Sequence, residues 1–479
     1  MNKPALQAYS AYRIIMKRIS KLIVIFILLI TTFTSCIEIT DTQTKVEKEN
    51  PLLEIYPQKD KAVIILPGIM GSELYSEKEY NGILESKVLK DQLIWMPQDV
   101  SSLLSSVSDF EKPDSSIFTV DAVKSLTFSF MMLSNYSNGE SIYRISPVIH
   151  GNNDSSYGTL GSYTNLYNKI NDKFSADHDI IFYSYDWRMP VRDIAFDLSD
   201  FIYKCGYNEV NFVAHSMGGL VVSHYLSISL ENQVKTNRVI TVGTPFGGSV
   251  RALSTLQKGR YFDFPLADIP IRELVYNMSS LYELLPTVNY LEYNEPYIYN
   301  NNKPLNIDQT DEFIKSNAKA SDKDLLYGLN NTLYENSLKS HEQLIKNGDH
   351  IINDQFIDVH MIVGYNTETP ESLYESDFVL KEMQKTFFGD GTVGVNSSAF
   401  YNGELFDNPI YFINGVSHGS LVKDSDSIDL IILLLEKGET LTENDYNLSK
   451  ISDYENISLN NDDTIDRIMI ETEIKIPFK

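Results

Sequence analysis

Cysteine is almost absent from this chain: its 479 residues contain two, Cys36 and Cys205. That excludes a scaffold held by disulfides and leaves stability to a packed core, for which the length is ample. Basic charge is also scarce. The 40 Lys and Arg face 65 Asp and Glu, a formal net charge of −25, and such a balance argues against nucleic acid, whose phosphates need cationic neutralisation. Nor does it attract an anionic bilayer, so membrane contact has to come from apolar surface or a covalent anchor. No His-Glu-x-x-His cluster and no glycine-rich phosphate loop with its lysine occurs; no metal and no other cofactor is expected. The unbroken apolar run from Leu22 to Ile30 is too short for a span of ~20 residues. With 43% hydrophobic and 22% charged residues the chain reads as globular.

That apolar run follows a basic segment, Lys17-Arg18-Ile19-Ser20-Lys21, and the pair reads as an export signal. The junction Phe33-Thr34-Ser35-Cys36 resembles a bacterial lipoprotein cleavage site, where Cys36 becomes the lipidated first residue; the alternative is an ordinary secretory signal with an incidental cysteine. Met16 directly precedes the basic segment and is the better start. Residues 1–36 are thus the signal and 37–60 a polar tether. Acyl chains on Cys36, at ~0.8 kcal/mol per buried methylene, would hold the protein on a membrane of the bacterial cell envelope and leave Cys205 without a partner.

The folded region opens at Lys61-Ala62-Val63-Ile64-Ile65-Leu66-Pro67-Gly68-Ile69-Met70-Gly71-Ser72, a buried strand running into a tight loop. Val210-Asn211-Phe212-Val213 leads into Ala214-His215-Ser216-Met217-Gly218-Gly219 and then a helix-like run, which places Ser216 at a sharp strand-to-helix turn. The neighbours two positions away must be small. Gly218 complies, and Ala214 stands where the common pattern has glycine. A serine that merely caps the following helix is the plain alternative. Downstream come Gly389-Asp390-Gly391-Thr392-Val393 and Val416-Ser417-His418-Gly419, so serine, acid and histidine follow the chain order of α/β-hydrolases. Backbone N–H groups of Met70 and Met217 are the expected oxyanion donors. The side chain of His215 is expected to project away from the catalytic one, and His150, His178, His224, His341, His350 and His360 to be surface or packing residues.

With Tyr185-Asp186-Trp187-Arg188 and Gly243-Thr244-Pro245-Phe246-Gly247-Gly248 added, the ordered motifs resemble the lecithin:cholesterol acyltransferase family, which also includes a lysosomal phospholipase and phospholipid:diacylglycerol acyltransferases. The resemblance runs discontinuously from about Lys61 to Leu435. It implies Ser216 as nucleophile, Asp390 as triad acid, His418 as base and the Pro67–Gly71 loop as oxyanion loop. For Asp186 and Arg188 a pinned ion pair of structural purpose is expected. Weaker similarity continues through Arg272 to Leu284-Leu285-Pro286 and from Gly364 to Tyr374. Animal members close a lid loop with a disulfide, and no cysteine lies between Cys36 and Cys205 to do so here.

Strand-like runs at Ala62–Leu66, Ile180–Tyr185, Val210–Val213, Val239–Val242, Ile357–Val363 and Ile410–Ile413 alternate with helical segments. They predict a mostly parallel sheet covered on both faces, in a hydrolase domain over 61–436 with a lid insertion at 75–145 and a cap insertion at 249–353. Residues 437–479 form an acidic extension whose alternating Ile468, Ile470, Ile474, Ile476 and Phe478 predict an edge strand. In the lid, Trp95 beside Leu93, Ile94 and Met96 is either core or an exposed contact for acyl chains. The expected activity is serine-dependent hydrolysis or O-acyl transfer on phospholipid or related lipid esters, with a lipid alcohol as possible acceptor. A broad carboxylesterase, and an inactive surface lipoprotein of the same fold, are the alternatives.

Overall fold

Six of the strands that hold the molecule together are parallel and carry long apolar stretches, as sheets buried on both faces require. In the computed structural model they are β1 (Lys61–Leu66), β2 (Asp179–Phe182), β3 (Glu209–His215), β4 (Thr236–Val242), β5 (Asp358–Tyr365) and β6 (Ile410–Asn414), with β7 (Ile451–Ser452) added antiparallel at the edge. The spatial order is β7-β6-β5-β4-β3-β1-β2. The structure describes residues 58–81, 87–96, 129, 132–143, 145–147, 156–258, 274–294, 297–301, 303–317, 329–354, 356–376, 379–438 and 451–452. The signal with Cys36, residues 37–57 of the tether, His150, Arg272 and the expected edge strand at 468–478 lie outside these residues.

Alternation along the strands divides the core between two faces. Val210, Phe212 and Ala214 of β3 pack with Ile64 and Leu66 on one face, whereas Val213 packs with Val63, Ile65 and Phe182 on the other. The first face is covered by α2 (Val191–Cys205), whose buried Val191, Ile194, Ala195, Leu198, Phe201, Ile202 and Cys205 recur at helical spacing, and by α3 (Met217–Ile228). The second is covered by α1 (Thr164–Phe174), through Leu166, Tyr167 and Ile170, and by α4 (Ser425–Lys437), which Asp424 caps through the Asp426 and Ser427 N–H groups. Cys205 is free and buried, and burial pushes its thiol up to about 11, which leaves it inert at ordinary pH.

Two insertions rise beside the C-terminal ends of the parallel strands. The ends of the first pair with each other, since Leu74–Ser76 bonds antiparallel to both Ile145–Pro147 and Leu93–Trp95. The second contains the helices Val250–Lys258, Ser279–Glu283, Val288–Tyr293, Ile307–Asn317 and Asn331–Glu342. It reaches further along the chain than 249–353: its strand Ile298–Asn300 pairs with Thr369–Ser376, which forms a hairpin with Val379–Thr386 after β5. The reason is the hairpin's polar composition, which gives no apolar run for a periodicity argument to find.

Candidate active site

Ser216 sits between β3 and α3 with φ 53° and ψ −125°, a backbone conformation costing ~1–3 kcal/mol outside glycine. It persists because the chain reverses there from strand to helix, and the Ser216 N–H donates to the Val242 carbonyl at 2.9 Å. The turn tolerates no bulk two residues on. A Cβ at position 218 would stand 2.8 Å from the carbonyl oxygens of both Leu66 and Pro67.

Three side chains from the ends of three segments converge. His418 Nδ1 lies 2.7 Å from Asp390 Oδ2, and His418 Nε2 lies 2.8 Å from Ser216 Oγ. The Nδ1–H donates to the carboxylate, so Nε2 is left to accept the serine hydroxyl. Asp390 is held in turn: its Oδ1 accepts the N–H groups of Thr392 at 3.0 Å and Val393 at 2.8 Å, and its carbonyl accepts the His418 N–H at 2.8 Å. Thr369 Oγ1 accepts the Gly391 N–H at 2.8 Å. All three triad side chains are buried. This geometry is what a serine nucleophile with a base and an orienting acid requires.

The loop after β1 faces the serine. Gly68 and Gly71 close a turn through a 3.0 Å bond from the Gly71 N–H to the Gly68 carbonyl, with Met70 at φ 60°. A Cβ on Gly68 would lie 2.9 Å from Ser216 Cβ, so the peptide joining Gly68 to Ile69 runs beside the nucleophile. Met70 is one residue further along the turn. Its carbonyl accepts from Thr159 Oγ1 at 2.7 Å and from Trp95 Nε1 at 2.9 Å. Met217 opens α3 directly after Ser216, where a first-turn N–H has no intrahelical acceptor.

Two expectations need correction. Trp95 is fully buried, packed edge-on against Trp187 at 5.6 Å between ring centroids. It is core and a support of the 68–71 turn, not an exposed lid contact, because its strand is pinned to Leu74–Ser76 beneath the insertion. His215 does not point away from the site: its ring centroid is 4.9 Å from that of His418. Alternation puts it on the face of Val213, and the positive φ of Ser216 then swings the triad over that face. Its signal was the i, i+2 spacing to Val213. Burial, followed by the neighbouring His418, holds its pKa well below the ordinary 6.5. By contrast the Asp186–Arg188 pair is present. Arg188 Nε and Nη2 donate to the two carboxylate oxygens at 2.9 and 2.7 Å, and Nη1 reaches the Leu133 carbonyl at 2.8 Å.

The cleft over Ser216 has an apolar cap wall of Leu274, Val275, Met278, Leu281 and Leu284. Among the described residues its lining includes two cations, Arg251 and Lys423, and no carboxylate. Sequence reasoning passed over both, since isolated basic residues carry no motif.

Strand order and the strand-to-helix elbow define an α/β-hydrolase fold. Residues 162–368 match the model of the family described as lecithin:cholesterol acyltransferase. No curated protein matches it. Among solved structures, a chain of the Tle4–Tli4 complex is similar at 14% identity and a TM-score of 0.52, covering 80% of this chain and 100% of that one. The Bacillus licheniformis lipase BlEst2 in mature form shares 16% identity over 57% of this chain and 86% of its own, with a TM-score of 0.31. The lin2722 product of Listeria innocua shares 13% over 58% and 90%, with a TM-score of 0.28.

Proposed function

We propose that the protein is a serine acyl hydrolase or O-acyltransferase that takes phospholipid or a related lipid ester through an acyl-serine intermediate. The observation that carries this reading is the connected Ser216–His418–Asp390 set under an apolar cap wall. His418 accepts the serine proton as Oγ attacks the ester carbonyl, and Asp390 stabilises the resulting imidazolium. The oxyanion is met by the Met217 N–H and by the N–H groups of the 68–71 turn, those of Ile69 and Met70. His418 then returns the proton to the leaving alcohol. Water attacking the acyl-serine releases a fatty acid; a lipid alcohol attacking it makes a new ester.

The walls of the cleft support a lipid substrate. Five apolar cap side chains suit an acyl chain. Cys36 is the proposed anchor of an exported lipoprotein. No helix among the described residues is long and apolar enough to cross a membrane.

A fluorophosphonate probe tests the chemistry: it should label the wild-type protein and not Ser216→Ala. Turnover of dispersed phospholipid well above that of a short-chain nitrophenyl ester supports the lipid reading, and the reverse preference makes the protein a carboxylesterase. A folded protein that never labels is a binding protein on a hydrolase scaffold.

A further inference from the structure

Tyr163 and His215 lie against the triad without touching the reacting atoms. Tyr163 Oη accepts the Gly68 N–H at 2.9 Å and stands 2.7 Å from His215 Nδ1. His215 Nε2 stands 3.1 Å from the carbonyl oxygen of His418. A carbonyl can only accept, so Nε2 carries the proton, and Nδ1 then accepts the Tyr163 hydroxyl. Every proton in the series is thereby ordered: Gly68 N–H to Tyr163, Tyr163 O–H to His215, His215 N–H to the backbone of His418. One end is the glycine beside Ser216 in the oxyanion turn, and the other is the residue that takes the serine proton. All four residues are buried. The low basicity of His215 keeps it in this neutral form.

We propose that Tyr163 and His215 are positioning residues that hold the oxyanion turn and His418 in register. The inference rests on Ser216 being the nucleophile. Without the Tyr163 hydroxyl the buried Gly68 N–H loses its acceptor, and without His215 the His418 carbonyl loses the shorter of two donors, keeping the Leu421 N–H at 3.3 Å. A small shift of either half moves the N–H groups away from the developing oxyanion, and misplacement on that scale lowers rates by on the order of 10²-fold. The acyl chain is bound elsewhere, at the cap wall, so the loss falls on kcat and not on KM.

The test is the rate of fluorophosphonate labelling, with kcat and KM on a nitrophenyl ester, for the full chain and its variants. Tyr163→Phe and His215→Leu should each lower kcat and labelling by about 10-fold to 10²-fold at unchanged KM, and the double variant should be no worse than the weaker single. His215→Gln, which sets an amide nitrogen near the place of Nε2, should recover part of what His215→Leu loses. Thermal melting checks folding; should His215→Leu not fold, Tyr163→Phe, which removes one oxygen, decides alone. Wild-type rates in Tyr163→Phe, losses confined to KM, or losses that multiply in the double variant would overturn the proposal. Absent labelling of the wild type, or equal labelling of Ser216→Ala, is a different outcome: it removes the serine-hydrolase reading, and this inference with it.

Discussion

Trp95→Ala is expected to cost about 3–5 kcal/mol of stability, the range for truncating a buried Trp, and to slow every ester by a common factor. The side chain has no exposed surface, packs against Trp187 and donates to the Met70 carbonyl. The lost hydrogen bond contributes about 1 kcal/mol of this. It leaves no orphan, because Thr159 Oγ1 still donates to the same carbonyl at 2.7 Å. Most of the cost is therefore the cavity. Trp95→Phe keeps an aromatic ring, loses the N–H and leaves a smaller cavity, so it should cost more than the ~1 kcal/mol of the bond and less than Trp95→Ala. Urea unfolding followed by circular dichroism measures stability. Rates on dispersed phospholipid and on a nitrophenyl ester, taken where the variant is still folded, measure function. Since Trp95 supports the turn that both substrates share, the two rates should fall together. Near-native stability with a loss confined to phospholipid would refute this placement and return Trp95 to a lid role.

Burial pushes the Glu283 carboxyl from 4.5 up to about 7, so in that window the folded protein keeps a proton that the unfolded chain has released. Its contribution is present below 4.5 and is lost as pH rises through about 7, ~3 kcal/mol in all; Glu283→Gln should flatten that slope in unfolding experiments across the window, and an unchanged slope would exclude Glu283 as its source. His224 and His350, held at about 3 by burial, act in the opposite sense, removing stability as pH falls below 6.5. Ser216→Ala and His418→Ala should each cut turnover by several orders of magnitude, and the double variant should be little worse than either because the triad acts as a unit; independent, multiplying losses would dissolve the assignment. Cys36→Ser should move the protein from the membrane fraction to the soluble one, and mass spectrometry showing an unmodified mature N-terminus at another residue rejects the anchor.

The parallel strands were legible because burial on both faces makes them apolar runs bounded by turn residues. Their ends were not. Glu209 and His215 extend β3 beyond Val210–Val213 because ladder bonds ignore side-chain polarity, and β2 stops at Phe182 although Tyr183 and Tyr185 are just as apolar. Ser216 and Gly218 were legible because the elbow's close contacts admit few residue types. The face taken by Trp95 was not, since Leu93–Trp95 is a strand of three residues, too short for alternation to tell core from surface. Which N–H of the 68–71 turn meets the oxyanion was equally hidden, because the donor is main chain and leaves no mark on residue type.

The Tyr185-Asp186-Trp187-Arg188 motif has its physical role in that turn. The Tyr185 hydroxyl donates to the Pro67 carbonyl, the Tyr185 N–H donates to Ser72 Oγ at 3.0 Å, and Trp187 Nε1 donates to the Ser72 carbonyl at 3.2 Å. From the other side Thr159 donates its N–H to the Gly71 carbonyl at 2.9 Å and its hydroxyl to Met70, while Tyr163 holds Gly68. The 68–71 turn is thus gripped at both ends and in the middle by segments remote in sequence. Fixed dipoles of this kind stabilise a developing charge only if they need not reorient when it appears. Arg188 extends the frame by tying the motif to the Leu133 and Ile145 carbonyls of the first insertion. On the proposed mechanism this gives a motif with no reacting atom its purpose: it sets the rigidity of the groups that would receive the negative charge.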